Sequence, residues 1–302
     1  MEKFATITVT STYVGDALKK YILACLLGGE TLATQGINVQ TNVKYKRKIK
    51  KLATSALLQA GSCDFSATSG VTITEATLEP CEYKINEEIC FEDVYQLWDS
   101  ADMTAGLNQE NLPQELLDAL TEAYIKRASQ ETETMIWQNN ITGSSDCFTG
   151  FKRVLVDGGV TGTSSAVTST NVVTLLNKAY LLVPACVLAK PKNELVIFVS
   201  HKFLAAYEMN LASQGVNTSI DEGVPKLYGI EMHAVSGFPS DDMIVIGERA
   251  NFYVGTDLES DFNAINIIDM RATTGDESVR FILKFKIDVA VAYPAEVVIL
   301  YD

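Results

Sequence analysis

The sequence predicts an α+β fold in which long strands and one long helix form a body, and a compact α/β segment is inserted into it. Three observations support this prediction. Residues 111–140 carry one long helical pattern, residues 169–247 alternate between helix and strand patterns, and residues 251–300 alternate like strands of an extended sheet. Helices and strands that segregate along the chain in this way are typical of α+β proteins.

The composition is that of an ordinary globular protein. The 302 residues are 47% hydrophobic and 21% charged, which excludes wholesale disorder and allows one large domain or two modest ones. No apolar run reaches the roughly 20 residues that a membrane helix needs. The apolar run within Lys19–Gly29 lies too far from Met1 for a signal peptide and lacks a cleavage site. We therefore expect a protein that is made and kept in a cytoplasm, without membrane contact.

Charge is distributed unevenly along the chain. The net charge is −14, but residues 1–52 hold nine Lys and Arg against three Asp and Glu, so the other 250 residues sum to −20. Six of the cations form a basic block within NVKYKRKIKKL, residues 42–52: Lys44, Lys46, Arg47, Lys48, Lys50 and Lys51. Residues 82–133 hold thirteen acidic residues against three basic ones. This pattern predicts contact between a basic arm and an acidic body, within one chain or between chains.

The basic block has three interpretations. It is compatible with contact to nucleic-acid phosphates, with docking on an acidic neighbouring subunit, and with the solvated face of a strand or helix. In the last case Val43, Tyr45 and Ile49 turn inward with strand spacing, or Tyr45, Ile49 and Leu52 with helix spacing. Because a strongly acidic chain repels DNA, we rank contact with a protein partner first, the solvated face second and DNA third.

The first predicted elements are an extended start and a helix near Val14–Leu27. Residues 53–80 then form a Ser-, Thr- and Gly-rich stretch that is nearly free of charge. Its end, VTITEATLEP, alternates like a strand, and Gly61 and Gly70 mark turns, which predicts a protruding two-stranded loop. Such a loop buries too little surface to be stable alone, so we expect it to lie against a neighbouring molecule.

Residues 111–140 give the clearest helix. Asn111 suits the N-cap, Pro113 the first turn, and Glu115 and Asp118 complement the helix dipole. A narrow apolar stripe runs along this helix: Leu116, Leu117, Leu120, Tyr124, Ala128, Met135 and Ile136. At about 1.5 Å per residue the helix spans roughly 40 Å, so we expect a spine that runs along an extended body.

A compact α/β segment follows the spine. The patterns predict helices at Ser169–Pro184 and His201–Gly215, a strand at Asn193–Ser200 and short strands within Tyr228–Gly247. The strands of residues 251–300 need a sheet partner, and the candidates lie before residue 167. The compact segment is therefore predicted to be inserted between two halves of another domain.

No loop motif indicates a ligand site. The DGGVTG stretch at Asp157–Gly162 lacks the glycine spacing and the Lys-Ser/Thr pair of a phosphate-binding loop, so a hinge is the better interpretation. In the acidic stretch at residues 257–269, Phe262 and Ile268 occupy the positions where a calcium loop needs Gly and Glu. We interpret this stretch as an acidic turn between strands.

The cysteines and histidines predict neither catalysis nor a metal centre. Six cysteines occur without paired spacing, which predicts free, mostly buried thiols and no zinc site. His201 is expected to cap or flank a helix, and His233 to lie in a strand. Because no nucleophile motif accompanies them, we expect no enzyme and no cofactor, although catalytic groups that are distant in sequence can meet in a fold.

In their order, these parts resemble the major capsid protein of tailed bacteriophages, which has the Hong Kong 97 fold. The stretch YGIEMHAVSGFPSDDMIVIGERANFYVGTDLESDF resembles that family's strand, Pro-ended turn, apolar strand, Gly-containing break and acidic turn. The stretch VRFILKFKIDVAVAYPAEVVIL resembles its closing strands. The central part, from LEPCEYKINEEICFEDVYQLWDS through ETETMIWQN, is particularly similar to capsid proteins of crAss-like and related phages of Bacteroidetes. The resemblance covers essentially the whole chain.

The resemblance implies an assignment of parts. Residues 1–43 would form the N-arm, residues 44–80 the E-loop, and residues 81–166 with 251–302 the peripheral P-domain, which contains the spine helix. Residues 167–250 would form the inserted A-domain around the centre of each pentamer or hexamer. This assignment explains the uncharged loop, because its surface would be buried between subunits.

The function that the resemblance implies is mechanical. Many copies would assemble as hexamers and pentamers into an icosahedral shell around double-stranded DNA, in a virion assembled in the cytoplasm of a host bacterium. Implied partners are further copies of the chain, a portal, decoration proteins and a separate scaffolding protein, because the arm is too short to contain the removable scaffolding segment of some relatives. No Lys lies between Leu52 and Tyr83, so the E-loop cross-link of other relatives is not expected.

Three alternatives stay open at this stage: an encapsulin-type shell that stores enzymes, an α/β enzyme, and a tail-associated structural protein. Under the capsid interpretation, the basic block falls where the N-arm meets the E-loop, the region that overlaps neighbouring subunits. We therefore expect its cations to meet acidic residues across the subunit boundary. The candidate contact residues are Lys44, Lys46, Arg47, Lys48, Lys50, Lys51, Glu82, Glu87, Glu88 and Glu92.

Overall fold

The computed structural model describes residues 31, 37–54, 71–90, 114–138, 149–215, 225–256, 265–270 and 274–302. The predicted helix at Val14–Leu27, the acidic stretch around Phe262 and the candidate contact residue Glu92 lie outside these residues.

Strands and helices have the following bounds. The strands are β1 (Asn38–Gln40), β2 (Arg47–Thr54), β3 (Val71–Leu78), β4 (Cys81–Cys90), β5 (Val160–Thr163), β6 (Leu195–Val199), β7 (Lys226–Leu227), β8 (Ile230–Ala234), β9 (Ile244–Glu248), β10 (Phe252–Thr256), β11 (Ile265–Asp269), β12 (Ser278–Val291) and β13 (Val298–Tyr301). The helices are α1 (Gln114–Gln138), α2 (Phe151–Gly158), α3 (Val172–Leu182), α4 (Ala185–Leu188) and α5 (His201–Ser213).

A five-stranded sheet is built around β12, which is 14 residues long. Strands β4, β10 and β11 all pair with β12 antiparallel, and β1 extends the sheet by pairing with β10 in parallel. Because β4 and β11 both pair with residues 279–283, they lie on opposite edges of β12. This sheet joins the amino-terminal part of the chain to its last fifty residues, as the alternating pattern of residues 251–300 predicts.

A six-stranded sheet has the order β5-β13-β9-β6-β8-β7. Its central strand β6, LVIFV, is buried at every position, as expected for a strand that is covered on both faces. Strands β5 and β13 lie outside residues 167–250, the range predicted for the inserted domain, yet they pair within this sheet. The domain boundaries themselves stay a prediction.

Two hydrophobic cores lie on the two faces of the six-stranded sheet. On β6, Val196 and Phe198 belong to the core shared with α1, α2 and the five-stranded sheet, whereas Leu195, Ile197 and Val199 belong to the core beneath α3 and α5. The alternation follows from the two-residue period of a strand. The compact α/β segment and the long sheet are therefore packed through a common layer of side chains.

Helix α1 confirms the predicted spine, with ends that differ by two to three residues from the predicted 111–140. Ala128, Met135 and Ile136 of the predicted stripe are buried, and Tyr124 lies 5.2 Å from the ring of Phe281 on β12. Trp137 is fully buried near the carboxyl end of the helix. Its ring contacts three further aromatic residues at centroid distances between 4.6 and 5.3 Å: Phe151, Phe198 and Phe238.

A buried polar network joins Thr31 to the spine. The carboxylate of Glu133, 1% exposed, accepts hydrogen bonds from the backbone amide of Thr31 at 3.2 Å and from its hydroxyl. The indole of Trp137 donates to the same hydroxyl oxygen at 2.7 Å. Since an unpaired buried carboxylate is costly, this network fixes Thr31 against α1.

The cysteine prediction is correct only in part. Cys90 carries a reduced, buried thiol, as predicted, and Cys186 carries a reduced thiol that is exposed on the short helix α4. Cys81, at the start of β4, is disulfide-bonded, so the prediction of a free thiol is wrong there. Spacing along the chain could not reveal this bond, because cysteines that are distant in sequence can meet in the fold.

Candidate subunit-contact surface

Strands β2 and β3 form a hairpin that includes most of the basic block. The two strands pair antiparallel from Arg47 opposite Leu78 to Thr54 opposite Val71. Leu78 is fully buried, and its side chain lies beside Gly255 of β10. The predicted two-stranded loop is thus a hairpin rooted in the five-stranded sheet.

The base of the hairpin is tied to the body by backbone groups. The amide of Glu79 donates to Oδ2 of Asp288 at 2.5 Å, and the amide of Val289 donates to Oδ1 of the same carboxylate at 2.7 Å. Asp288 is 6% exposed, and burial raises its pKa, against the opposing effect of these two hydrogen bonds. Just before β2, the amide of Val43 donates to the carbonyl of Thr256 at 3.0 Å.

The hairpin has an inner and an open face. Directly opposite residues of an antiparallel pair share a face, so Ile49 and Ala76 lie on the inner face, where both are half-buried. The open face carries the exposed residues Lys48, Lys50, Leu52, Ile73 and Glu75. Leu52 and Ile73, opposite each other, are 62% and 64% exposed. An exposed apolar pair on a protruding hairpin is typical of a surface that is covered in an assembly.

The inward positions predicted for the basic block are correct in part. Val43 is buried and Ile49 is half-buried, as strand spacing predicts. Tyr45 is 71% exposed, however, so its predicted inward position is wrong, as is that of Leu52 under helix spacing. The reason is that the strand begins only at Arg47, and that its open face has no core to pack against.

The structure pairs several of the block's cations within the hairpin. The ammonium of Lys46 lies 2.7 Å from the carboxylate of Glu79, and Lys48 forms an ion pair with Glu75. Lys51 lies over the ring of Tyr293, 5.7 Å from its centroid, and burial lowers the pKa of Lys51. The other three cations are exposed: Lys44, Arg47 and Lys50.

The acidic candidates lie on β4 and meet cations of β12. Glu88 accepts hydrogen bonds from the hydroxyl of Ser278 at 2.6 Å and from Arg280 at 3.0 Å, and these interactions lower its pKa. Glu82 lies 3.7 Å from the ammonium of Lys284, with both side chains about half exposed.

Glu87 points to the opposite face of the sheet from these two, because side chains alternate along β4. It is exposed, and its charge adds to burial in raising the pKa of Tyr124. Within the described residues, the ion pairs of the basic block and those of the acidic candidates are thus formed with other groups, not with one another.

Four residues of this surface were not among the sequence-predicted contacts: Glu75, Glu79, Asp288 and Tyr293. Glu75 and Glu79 lie in the strand pattern VTITEATLEP, so a hairpin register would have placed them across from the cations. Asp288 interrupts an apolar run of β12, which was a visible signal of a buried polar contact. Nothing in the sequence indicates that Tyr293 meets the hairpin.

The other stretches considered in the sequence lie at the start of α5 and between α2 and β5. Ser200 caps α5 by accepting from the amide of Phe203, and His201 is exposed in the first turn. The DGGVTG stretch forms the end of α2 and the beginning of β5, which pairs with β13. Across the described residues there is no group of three or more His, Cys, Asp or Glu that could hold a metal ion. None of the helices among these residues is long and apolar enough to cross a membrane.

Among known proteins, only solved structures are similar to this chain. The sequence matches no protein-family model and no curated protein. Among solved structures, the capsid of a native GTA particle matches with a TM-score of 0.59 and 14% identity over 99% of this chain and 94% of its own. The satellite phage P4 procapsid, which includes the size determination (Sid) protein, matches with a TM-score of 0.52 and 12% identity over 93% and 98%.

A virus-like particle from Pyrococcus furiosus has a TM-score of 0.53 and 10% identity over 94% of this chain and 97% of its own. These likenesses extend over nearly the full length of both partners, although the identities are too low to show more than a shared fold. The protein therefore has a mixed α and β fold of the Hong Kong 97 type found in capsid proteins, which confirms the fold class predicted from its sequence.

Proposed function

We propose that this protein is a major capsid protein, which assembles as hexamers and pentamers into an icosahedral shell around double-stranded phage DNA. The observation that supports the proposal most is the likeness to the GTA capsid along 99% of the chain. The exposed open face of the β2–β3 hairpin is a second support, because such a surface suits burial against a neighbouring copy. The function is mechanical and the chain is not an enzyme.

We assign the parts as the sequence resemblance implies. Residues 1–43 are the N-arm, residues 44–80 the E-loop, residues 81–166 with 251–302 the P-domain, and residues 167–250 the A-domain. The hairpin within residues 44–80 and α1 within residues 81–166 support this assignment. β5 and β13 lie outside residues 167–250 and pair within the six-stranded sheet, so under this assignment two short P-domain segments complete the sheet of the A-domain.

The basic block is proposed to contact the acidic strand β4 of a neighbouring subunit. Lys44, Arg47 and Lys50 are exposed, as are Glu82 and Glu87, so these side chains are accessible to a second copy. The block also contacts Glu75 and Glu79 inside its own chain, which leaves it only partly neutralised. Charge complementarity of this kind steers association and fixes register more than it adds affinity.

Further partners are proposed from the capsid role. We expect a portal, a separate scaffolding protein, decoration proteins and packaged DNA, and a location in the virion after assembly in the host cytoplasm. The P4 procapsid includes a size determination protein, which supports a comparable assembly partner here. Kinship with crAss-like phages of Bacteroidetes is proposed only from the similarity of the central sequence.

An encapsulin-type compartment is the second candidate. The likeness to a virus-like particle from Pyrococcus furiosus supports it, because the same fold can enclose protein instead of a genome. The contents of purified particles separate the two functions: nuclease-protected double-stranded DNA supports the capsid, and a co-purifying cargo enzyme supports the compartment.

Electron microscopy of the purified protein tests both shell functions together. We expect hexamers, pentamers or closed shells, with efficient closure only when a scaffolding partner is added. Efficient closure by the chain alone would refute the separate scaffolding protein. A stable monomer at high concentration would contradict the shell itself.

A further inference from the structure

We infer that Tyr293 is a positioning residue, which holds the β2–β3 hairpin at a fixed angle to the body. The hydroxyl of Tyr293 accepts a hydrogen bond from the backbone amide of Leu52 at 3.1 Å. The neighbouring Lys51 places its ammonium 5.7 Å from the centroid of the Tyr293 ring. Two consecutive residues of β2 therefore rest on one aromatic side chain of the body.

The Leu52 contact supports one edge of the hairpin. Because the amide of Leu52 donates to Tyr293, it points away from β3, toward the edge of β2 that pairs with no other strand among the described residues. Tyr293 thus satisfies a backbone donor that the hairpin itself leaves open. Desolvation lowers the pKa of Lys51, which agrees with its stem lying against the ring.

Tyr293 is itself held rigidly by a buried side chain. The amide nitrogen of Tyr293 donates to Oδ1 of Asn251 at 2.5 Å, and Nδ2 of Asn251 donates to the carbonyl of Tyr293 at 2.8 Å. Asn251 is 2% exposed. These two hydrogen bonds fix the backbone of Tyr293. A hairpin that contacts the Tyr293 side chain is therefore held in a defined position relative to the body.

The second attachment lies at the base and acts differently. Asp288 binds the amide of Glu79 where β3 gives way to β4, next to Pro80, and Leu78 is buried beside it. Before β2, Asn42 has a φ of 62°, a left-handed conformation that suits a sharp change of direction. The base therefore attaches the hairpin at one end, whereas Tyr293 contacts it farther along β2.

The contact of Leu52 with Tyr293 lies far from the base of the hairpin, so it can determine the angle of the hairpin. Leu52 is five residues along β2 from Arg47, roughly 17 Å at the rise of an antiparallel strand, and the whole of β2 spans about 24 Å. A rotation of roughly 10° about the base moves the end of β2 by about 4 Å. Under the proposed function, on which this consequence rests, that displacement decides which part of a neighbouring subunit the open face meets.

Amide hydrogen exchange on the unassembled full-length protein tests the inference. Tyr293→Phe keeps the ring and the Lys51 contact but removes the hydrogen-bond acceptor. We expect exchange at Leu52 to rise about fivefold, the effect of losing one net hydrogen bond, with exchange at Glu79 unchanged. Asp288→Asn should raise exchange at Glu79 and leave exchange at Leu52 unchanged. The reason is that Glu79 and Val289 donate to different oxygens of Asp288, and an asparagine side chain has only one acceptor oxygen.

Tyr228→Phe is the matched control, since it removes a hydroxyl that donates to Asn177 at 2.8 Å on the compact α/β segment. It should leave exchange at Leu52 unchanged. An unchanged Leu52 amide in Tyr293→Phe, or an equal rise at Leu52 and Glu79, would overturn the positioning role. Because no shell is needed for this measurement, its failure is distinct from a failure of the capsid proposal, which electron microscopy reports separately.

Discussion

At the scale of single residues, His233 links the stability of the six-stranded sheet to pH. Its side chain on β8 is 9% exposed, and its buried Nε2 has no hydrogen-bond partner among the residues that the structure describes. Burial, together with the charge of Arg249, lowers the pKa of His233, and Glu231 only partly opposes this shift. The native state therefore binds a proton less readily than the unfolded state, in which histidine titrates near 6.5.

We predict that acid destabilises the protein partly through His233. As the pH falls below about 6.5, the unfolded state takes up the proton first, and the free energy of unfolding decreases by at most about 1.4 kcal/mol per pH unit from this group. His233→Gln should flatten that part of the profile, measured by chemical denaturation between roughly pH 7.5 and 5. His201→Gln, at the exposed histidine, is the control; an unchanged slope in His233→Gln would contradict the role of His233.

Gly237 is a second residue with a measurable role, because it allows the backbone to approach α1. A Cβ at Gly237 would lie 2.7 Å from Cδ1 of Trp137 and still closer to the carbonyl oxygen of Glu133. We predict that Gly237→Ala lowers the free energy of unfolding by about 1–3 kcal/mol, the usual cost of overpacking. In Gly255→Ala the nearest atoms are at an ordinary 3.4 Å, so a loss as large in that variant would contradict this explanation.

At the scale of elements, the hairpin supplies the charges proposed to meet a neighbouring subunit. We predict that changing Lys46, Arg47 and Lys48 together to Glu prevents or strongly reduces assembly, because the reversed charges repel β4 of the neighbour. Thermal unfolding of the unassembled chain should change little, since the ion pairs of Lys46 and Lys48 are exposed and exposed pairs contribute little to stability. Assembly is measured by sedimentation and electron microscopy.

A charge-matched variant separates this effect from the change in net charge. Lys126, Arg127 and Lys202 form exposed ion pairs on α1 and α5, and changing them to Glu alters the total charge equally. Normal shells from the hairpin variant would contradict the proposed contact between the basic block and β4 of a neighbouring subunit. If those normal shells also contained less DNA, the basic block would instead face the packaged nucleic acid.

Elements with a strong local pattern could be predicted from the sequence. Helix α1 follows its apolar stripe and β6 its apolar run, because helical and strand periods are local properties of the chain. The pairing of β1 with β10, and of β5 with β13, could not be predicted in the same way. Those pairs join residues that are more than a hundred positions apart, and short strands carry little information about register.

At the scale of the whole molecule, the fold class was predictable from the order of helices and strands. The GTA capsid has a similar fold although only 14% of the residues are identical. Of the candidate surface, only the cations of the basic block could be predicted from the sequence. Lys46 and Lys48 were found from composition, but their partners Glu79 and Glu75 depend on the hairpin register. The contact between Leu52 and Tyr293 depends on the angle of the hairpin to the body, which no pattern along the chain encodes.

The chemistry of the hairpin region also predicts how subunits are held together. No Lys lies between Leu52 and Tyr83, so residues 53–82 hold no lysine that could donate to an amide cross-link. We predict that assembled particles dissolve to single subunits on a reducing denaturing gel. A ladder of covalent multimers on that gel would contradict a shell that is held by non-covalent contacts.

The central claim is that this chain forms a shell through its hairpin, and cryo-electron microscopy of assembled particles tests it most directly. We predict hexameric and pentameric units in which the open face of each hairpin, with Leu52 and Ile73, lies on an adjacent copy near β4. Assemblies in which that face stays exposed to solvent, or a protein that remains monomeric at every concentration, would contradict it.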